Sequence, residues 1–404
     1  MSVVIIGGGH GGFQVAASLR QDGYAGQVTL ISAEAALPYQ RPPLSKAYLK
    51  DGIADALHLR PASFYARNGI TLRLGTRIAR IDRAAAAVIT DQGEAIAYDH
   101  LVLATGARNA RPPVPGLDLP GVLGLRDLDD AQRLRGAMST ARHAAIIGGG
   151  FIGLEFGAVA RGAGLGATVI EAAPRLMARA LSPQMSGRFA TLHRDMGTEL
   201  CLGRLAVEVL EAEGRAAGVR LDDGTRVHAD LVLLAAGVVP NTELAQEAGL
   251  AVANGIVVDK HLRSSDPAIF ALGDCATFPC RRMGAPLRLE SVQAATDQAR
   301  AIARTIMGQP APYDALPWFW SDQGPHKLQI AGACLPSDAA VPVGDNIVIR
   351  FRDCHMTGVE TINAPGVHMA ARKLLATGLG PTQADAAAAG YDLRALAAER
   401  KATV

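Results

Sequence analysis

Gly7-Gly8-Gly9-His10-Gly11-Gly12 follows the apolar run Ser2-Val3-Val4-Ile5-Ile6, and Gly148-Gly149-Gly150-Phe151-Ile152-Gly153 follows His143-Ala144-Ala145-Ile146-Ile147. Both fit the spacing G-x-G-x-x-G, and each reads as a strand, a tight turn and the start of a helix. A second apolar run then leads to an acid in each case: residues 28–32 lead to Glu34, and residues 167–170 lead to Glu171. The pattern has a physical basis. Glycines let backbone amides approach a pyrophosphate at the positive end of a helix, and the acid accepts a hydrogen bond from an adenosine ribose. A single glycine-rich turn is a weak signal. Two of them, set in the same strand–turn–helix–strand–acid order, predict two dinucleotide sites. Two such sites on one chain suggest electron transfer from one bound dinucleotide to another.

Between the two units lies Leu101-Val102-Leu103-Ala104-Thr105-Gly106-Ala107, an apolar strand ending in a turn of small residues. A similar run, residues 231–235 and then Ala236-Gly237-Val238-Val239-Pro240-Asn241, follows the second unit. Tyr98-Asp99-His100 and His228-Ala229-Asp230 lead into them. This is an internal repeat, so one domain type occurs twice. The crossing Arg111-Pro112-Pro113-Val114-Pro115 carries the chain from the first domain to the second. The chain returns after Asn241, because Ile269-Phe270-Ala271-Leu272-Gly273-Asp274 reads as another buried strand ended by an acid. An amphipathic helix is expected over residues 291–307. Beyond Pro310 the composition shifts, and both tryptophans fall in Trp318-Phe319-Trp320. Residues 347–351 alternate apolar and polar, as a half-buried antiparallel strand would, with residues 355–363 as a hairpin partner. Two helices, over residues 367–377 and in the alanine-rich stretch after Thr382, close the chain. The expected fold is α/β, with two Rossmann-like dinucleotide-binding domains and a C-terminal α+β domain. Residues 1–110 and 242–310 form the first domain, 111–241 the second and 311–404 the third.

The 404 residues are 49% hydrophobic, ample for several cores, and carry 44 glycines and only 4% aromatics, as suits a doubly wound protein with many tight turns. A net charge of +2 gives no global pull toward nucleic acid or membrane. The five cysteines are odd in number and form no C-x-x-C, so neither a disulfide framework nor a metal site is expected. The longest apolar run, near residues 231–239, falls short of the roughly 20 residues a membrane span needs. With a strand expected from residue 2, no room is left for a signal peptide, and a cytoplasmic protein is expected.

Asp274, read alone, fits a helix N-cap better than a ligand contact. Lys46, in Tyr39-Gln40-Arg41-Pro42-Pro43-Leu44-Ser45-Lys46, reads as a solvated lysine at a helix start. Glu155 reads as a first-turn acid that favours the helix dipole, and it also faces the region where two dinucleotides must meet. Residues 32–49 contain no cysteine. A disulfide reductase of this architecture would place its redox pair there, so a thiol relay is not expected. Cys275 and Cys280 read as structural.

Together these residues resemble the putidaredoxin reductase-like ferredoxin reductases, FAD enzymes of bacterial cytochrome P450 and aromatic-ring dioxygenase systems. The resemblance covers essentially the whole chain. Its markers are Arg41-Pro42-Pro43-Leu44-Ser45-Lys46-Ala47-Tyr48-Leu49, Leu103-Ala104-Thr105-Gly106, Gly148-Gly149-Gly150-Phe151-Ile152-Gly153-Leu154-Glu155, Gly273-Asp274-Cys275-Ala276, Glu290-Ser291-Val292 and Pro317-Trp318-Phe319-Trp320-Ser321-Asp322-Gln323. The resemblance implies a glutathione-reductase-like fold with non-covalent FAD in the first domain, on Gly7, Gly9, His10, Gly11 and Gly12, with Glu34 near the ribose. Ile78 would offer backbone contacts to the adenine. Arg41, Lys46, Ala104, Thr105, Gly106, Arg126, Gly273, Asp274, Glu290, Ser291 and Val292 would line the flavin, its phosphates or its ribityl chain, and Trp320 would approach from the third domain. NADH would lie on Gly148, Gly150, Phe151, Ile152 and Gly153, with Glu155, Glu171 and Gly237 beside it. Lys46 and Glu155 would pair. Phe151 would stand where the family often has tyrosine. Many relatives carry two acids where this chain has Ala33-Glu34.

The same resemblance implies transfer of electrons from NADH through FAD to a [2Fe-2S] ferredoxin serving a P450 or a ring-hydroxylating oxygenase. Lys46, Glu155, Phe151 and Trp320 would be the catalytic residues, acting by position and charge. Rubredoxin reductase, NADH oxidase and an apoptosis-inducing-factor-like redox sensor are the alternatives on this fold. Glu171, with Ala172 and Ala173 next to it, favours NADH over NADPH, and Arg175 is the nearby cation that could weaken that preference. An acidic ferredoxin would dock on Arg300, Lys327, Arg372 and Lys373, and the protein would be a monomer or weak dimer.

Overall fold

The computed structural model describes residues 1–376, 378 and 380–402, which form two compact units. The first comprises Met1–Arg41, Ala54–Arg108 and Val239–Ala315. At its centre is a five-stranded parallel sheet in the order Ile269–Ala271, His100–Leu103, Ser2–Ile6, Gln27–Ile31, Ile70–Arg73. The central strands are apolar on both faces because a parallel sheet is covered on both sides, and Val3, Ile5, Leu101, Val102 and Leu103 have no exposure. Ile6 lies level with both Ile31 and Leu103. The turns that follow these strands are therefore gathered at one carboxyl edge, where open α/β sheets bind ligands. Helix Val292–Ile306 packs on helix His10–Gln21. It starts at Ser291, whose hydroxyl accepts from the Ala294 N–H at 3.1 Å.

The second unit comprises Pro42–Ile53, Asn109–Val238 and the residues from Leu316 on. It repeats the architecture with a parallel sheet in the order Glu199–Leu202, Gly166–Glu171, His143–Ile147, Leu231–Leu234, Val122–Leu123. Ile147 lies level with Ile170 and Leu234, the same register as Ile6 in the first sheet. A five-stranded antiparallel sheet follows, in the order Trp318–Gln323, His326–Gly332, His355–Ile362, Ile347–Arg352, Ala339–Pro342. Helices Pro365–Ala376 and Leu393–Ala402 share its core. No helix among the described residues is long and apolar enough to cross a membrane.

Three expectations need correction. Strand Ile347–Arg352 is not half-buried: Val348, Ile349, Arg350 and Phe351 are all 3% exposed or less. Its polar face is buried because Arg350 donates to Glu360 Oε1 at 2.7 Å, and that carboxylate also accepts from the Ser182 N–H and hydroxyl. The alternation therefore records an apolar face and an ion-paired face, and neither is solvated. The alanine-rich end is two helices, Gln383–Ala388 and Leu393–Ala402, because the chain turns left-handed at Gly390 and Tyr391 (φ 60° and 61°) between them. The helix expected over residues 367–377 begins earlier, at Pro365, and Thr377 lies outside the described residues.

Candidate functional site

In the first unit, packing dictates four of the five glycines in the opening turn, and a Cβ on Gly8 would lie 2.8 Å from Ser32 Oγ. Gly7 has φ +119°, and a Cβ there would lie 2.1 Å from the Ala104 carbonyl oxygen. On Gly12 it would lie 1.9 Å from Gly7 O, and on Gly11 2.8 Å from Leu272 Cδ1. Gly9 differs, because its missing Cβ would meet nothing nearer than Arg41 Nε at 3.9 Å. The space above Gly9 is bordered by the start of helix His10–Gln21 and by a guanidinium, as a pyrophosphate requires. Arg41 also donates to Glu34 Oε1 at 2.5 Å, while Tyr39 Oη donates to Oε2 at 2.5 Å. The Arg41 guanidinium lies 5.1 Å from the Tyr39 ring centre. Glu34 is thus fixed by two side chains with lone pairs left for a ribose hydroxyl, and the turn fits FAD. Sequence reasoning named Glu34 and Arg41 and missed Tyr39 as their common partner.

His10, the first residue of that helix, is held neutral. Burial lowers its pKa to about 4, the Arg41 cation adds to this, and Asp274 opposes it. Ile78 opens strand Ile78–Asp82 and is buried, at 7% exposure. The Ala104-Thr105-Gly106 turn is tied down by Asn241: Thr105 Oγ1 donates to Asn241 O at 2.7 Å, and Asn241 Nδ2 returns a bond to Thr105 O at 2.9 Å. Gly273 has φ +70° and donates its N–H to Gln298 Oε1 at 2.7 Å. Asp274 lies in the short 3₁₀ turn Gly273–Cys275, followed by strand Ala276–Cys280, so it caps no α-helix. Ser291 takes that role ahead of Val292, and Glu290 pairs with Arg288 at 2.8 Å. Asn241 and Gln298 had no sequence signal beyond their type.

The turn of the second unit repeats the same geometry. Gly148 has φ +118°, and a Cβ there would lie 2.3 Å from Ala235 O; on Gly153 it would lie 2.1 Å from Gly148 O. A Cβ on Gly150 would meet nothing within 4 Å, so this position again leaves space for a ligand. Glu171 Oε2 accepts from the Gly149 N–H and Oε1 from the Ala173 N–H, each at 2.7 Å. Arg175 donates to Leu181 O, Ala178 O and Ser186 Oγ, so its guanidinium is engaged by its own loop and by helix Pro183–Asp195. Phe151 and Ile152 open the helix Phe151–Gly162, and the Phe151 ring lies 4.5 Å from the Phe319 ring, tilted by 45°. Gly237, φ +96°, lies in the turn after strand Leu231–Leu234. Arg126 precedes helix Leu128–Met138, its N–H donating to Asp130 Oδ2 at 2.9 Å.

Lys46 and Glu155 meet in this unit. The 3₁₀ turn Pro42–Ser45 delivers Lys46 to the start of helix Ala47–Asp51. Lys46 Nζ lies 2.6 Å from Glu155 Oε2, with a second bond to Pro42 O at 3.1 Å. Ser45 Oγ donates to the same carboxylate oxygen at 2.5 Å, and Ser321 Oγ donates to the other at 2.6 Å. Glu155 is only 4% exposed yet accepts from three donors, so its burial is compensated. Ser321 and Gln323 lie in the quoted tryptophan motif but were not singled out there. Trp320 stands 5.6 Å from Trp318 and 6.4 Å from Phe319. Of the expected docking cations, Arg372 caps the Trp318 ring at 4.4 Å, Lys327 pairs with Asp322 at 3.6 Å, and Lys373 is exposed. Arg300, in the first unit, pairs with Asp297 at 3.1 Å. All five cysteines are free thiols, and burial raises the pKa of Cys275. Among the described residues no group of three His, Cys, Asp or Glu is placed to hold a metal ion.

Residues 1–299 match the pyridine nucleotide-disulphide oxidoreductase family, and residues 318–397 match the reductase C-terminal family. Rhodocoxin reductase of Rhodococcus erythropolis is 47% identical over 409 residues, covering 100% of this chain and 96% of that protein. Among solved structures, the ferredoxin reductase for the CYP199A2 system from Rhodopseudomonas palustris superposes with a TM-score of 0.94 at 45% identity, over 98% of this chain and 99% of that one. The reductase in the covalent putidaredoxin reductase–putidaredoxin complex superposes with a TM-score of 0.90 at 35% identity, over 94% of each chain.

Proposed function

The chain belongs to the pyridine nucleotide-disulphide oxidoreductase family, and on that premise we propose that it passes electrons from NADH through non-covalent FAD to a [2Fe-2S] ferredoxin serving a cytochrome P450 or ring-hydroxylating oxygenase. The family is FAD-dependent and uses NAD(H), and the homologues are reductases. FAD, when bound, supplies the chemistry of taking two electrons together as hydride and giving them up singly. The chain's own residues bind, orient and screen. We assign FAD to residues 1–110 and 242–310, NADH to residues 111–241 and the C-terminal role to residues 311–404. Gly9 and Gly150 leave room for the two pyrophosphates, and Glu34 and Glu171 hold the two riboses. Glu171 is also the residue we assign to NADH preference, since its charge would repel a 2′-phosphate. Arg175 keeps its charge, but its donors are spent on Leu181 O, Ala178 O and Ser186 Oγ. Lys46 and Glu155 form a fixed dipole for the nicotinamide, with Phe151 and Trp320 as aromatic positioning residues.

The observation that carries this reading is the pairing of two complete dinucleotide turns with the absence of cysteine from residues 32–49. With no thiol relay there, the electrons must leave to an external acceptor. The protein is expected to act in the cytoplasm as a monomer or weak dimer. The test is NADH-dependent reduction of purified [2Fe-2S] ferredoxins across ionic strength, with rubredoxin and oxygen as alternative acceptors. Ferredoxin reduction that weakens above about 0.15 M salt, and in Lys327→Glu and Arg372→Glu, supports the acidic partner. Faster turnover with rubredoxin or oxygen would favour the other activities of this fold.

A further inference from the structure

Gln323 stands where two hydrogen-bonded branches meet, both inside the second unit. Its amide nitrogen donates to Ser321 Oγ at 3.1 Å and to Met177 Sδ at 3.5 Å, and its amide oxygen faces His193 Nε2 at 2.8 Å. Ser321, Gln323 and His193 have no exposure, and Met177 is 5% exposed. The direction of donation follows from the Glu155 end. That carboxylate already takes Lys46 and Ser45 on one oxygen, so Ser321 must donate to the other. Ser321 therefore accepts from the Gln323 amide nitrogen, which turns the amide oxygen to His193. The imidazole must then carry its proton on Nε2. Its Nδ1 has no partner, as a bare ring nitrogen allows. Burial lowers the His193 pKa, keeping the ring neutral against the opposing pull of the Gln323 bond. Donation thus runs one way, from His193 through Gln323 and Ser321 to Glu155.

The second branch reaches the glycine turn. Met177 is not glycine, yet it adopts φ +48°, a left-handed conformation that costs a side-chain-bearing residue free energy. Its N–H donates to Gly149 O at 3.0 Å, in the middle of that turn, and its sulfur accepts from Gln323. A strained residue bonded at both ends is fixed from both sides.

We propose that His193 is a positioning residue: by fixing the Gln323 amide it sets both the aim of Glu155 and the shape of the turn that takes NADH. The proposal rests on the roles given above to Glu155 and to the second glycine turn. The His193 side chain bonds to Gln323 and acts through it. The experiment compares His193→Leu, His193→Gln, Ser321→Ala and Met177→Leu in the flavin-loaded enzyme. NAD+ affinity is measured by calorimetry, without turnover, and flavin reduction is followed by stopped flow. His193→Leu should weaken NAD+ binding and slow reduction by at least about tenfold each. His193→Gln, whose amide nitrogen can stand in for Nε2–H, should restore both. Ser321→Ala should lower only the rate, and Met177→Leu only the affinity. His193→Leu within about twofold of the parent in both measures overturns the proposal, as does a His193→Gln enzyme no better than His193→Leu. If His193→Leu fails to fold, the other two variants decide: both changing the same parameter overturns it. Glu155→Gln is the reference. If it leaves flavin reduction unchanged, the assigned role of Glu155 falls and the proposal with it; if it slows reduction while His193→Leu does not, only the proposal falls.

Discussion

Removing Lys46 should cost the second unit more than removing its partner Glu155, although the two share one ion pair. At 2.6 Å and an effective dielectric constant of about 20, the gross attraction is about 6 kcal/mol, and desolvation offsets much of it. What remains after each deletion differs. Lys46→Met leaves a carboxylate with a 5% exposed side chain and only the Ser45 and Ser321 hydroxyls as donors, so its charge is largely stranded. That should cost about 3–5 kcal/mol. Glu155→Gln leaves an ammonium whose side chain is 19% exposed and bonded to Pro42 O, and the new amide oxygen can still accept from Ser321. About 1–3 kcal/mol is expected there. The double variant should fall short of the sum by at least about 1 kcal/mol, because the stranded charge no longer exists. Trp318 and Trp320, the chain's two tryptophans, both lie in this unit, so urea unfolding followed by tryptophan fluorescence reports on it selectively. Additive losses to within about 0.5 kcal/mol, or a larger loss for Glu155→Gln than for Lys46→Met, would refute the reasoning.

Gly150→Ala should fold normally and lose NADH affinity, since its Cβ meets no protein atom, whereas Gly148→Ala should destabilise the unit against Ala235 O; equal NADH affinity in Gly150→Ala and the parent would show that nothing binds there. Glu171→Ala should narrow the ratio of kcat/KM for NADH over NADPH, mainly by weakening NADH, and should loosen Gly149 because it removes the acceptor of that N–H; an unchanged ratio places specificity elsewhere. The pKa of His10 is lowered from 6.5 to about 4, so the unfolded chain takes up the proton first as pH falls. Its contribution is therefore present above about pH 6.5 and is lost between there and about pH 4, by up to about 3 kcal/mol. Urea unfolding of the flavin-free protein, followed by circular dichroism against pH, should show this slope in the parent, and His10→Gln should flatten it; identical slopes would exclude His10 as the source.

Much of the frame could be read from local pattern. Both turns, the acids at Glu34 and Glu171, and the strands Ser2–Ile6 and His143–Ile147 follow from short-range rules of periodicity and glycine spacing. The misreadings arose where a distant residue decides the local state. Alternation in Ile347–Arg352 suggested a wet face because nothing nearby announces that Ser182 and Glu360 will bury Arg350. His193 carries no motif, and its bond to Gln323 joins segments far apart in the chain. Tyr39 was visible in the motif around Arg41, yet its hold on Glu34 depends on how the loop folds back. Asp274, read alone, fitted a cap because an acid can open a helix, whereas the chain forms only a 3₁₀ turn there.

The central claim is that two electrons enter from NADH and leave singly to an iron–sulfur partner. Its most direct test is anaerobic titration of the flavin-loaded enzyme and an excess of oxidised [2Fe-2S] ferredoxin with NADH, following the ferredoxin absorbance. The account predicts that each NADH reduces two ferredoxins, with no lag and no loss when thiols are alkylated. NADH oxidation that leaves every ferredoxin tested oxidised, or ferredoxin reduction abolished by thiol alkylation, would contradict it.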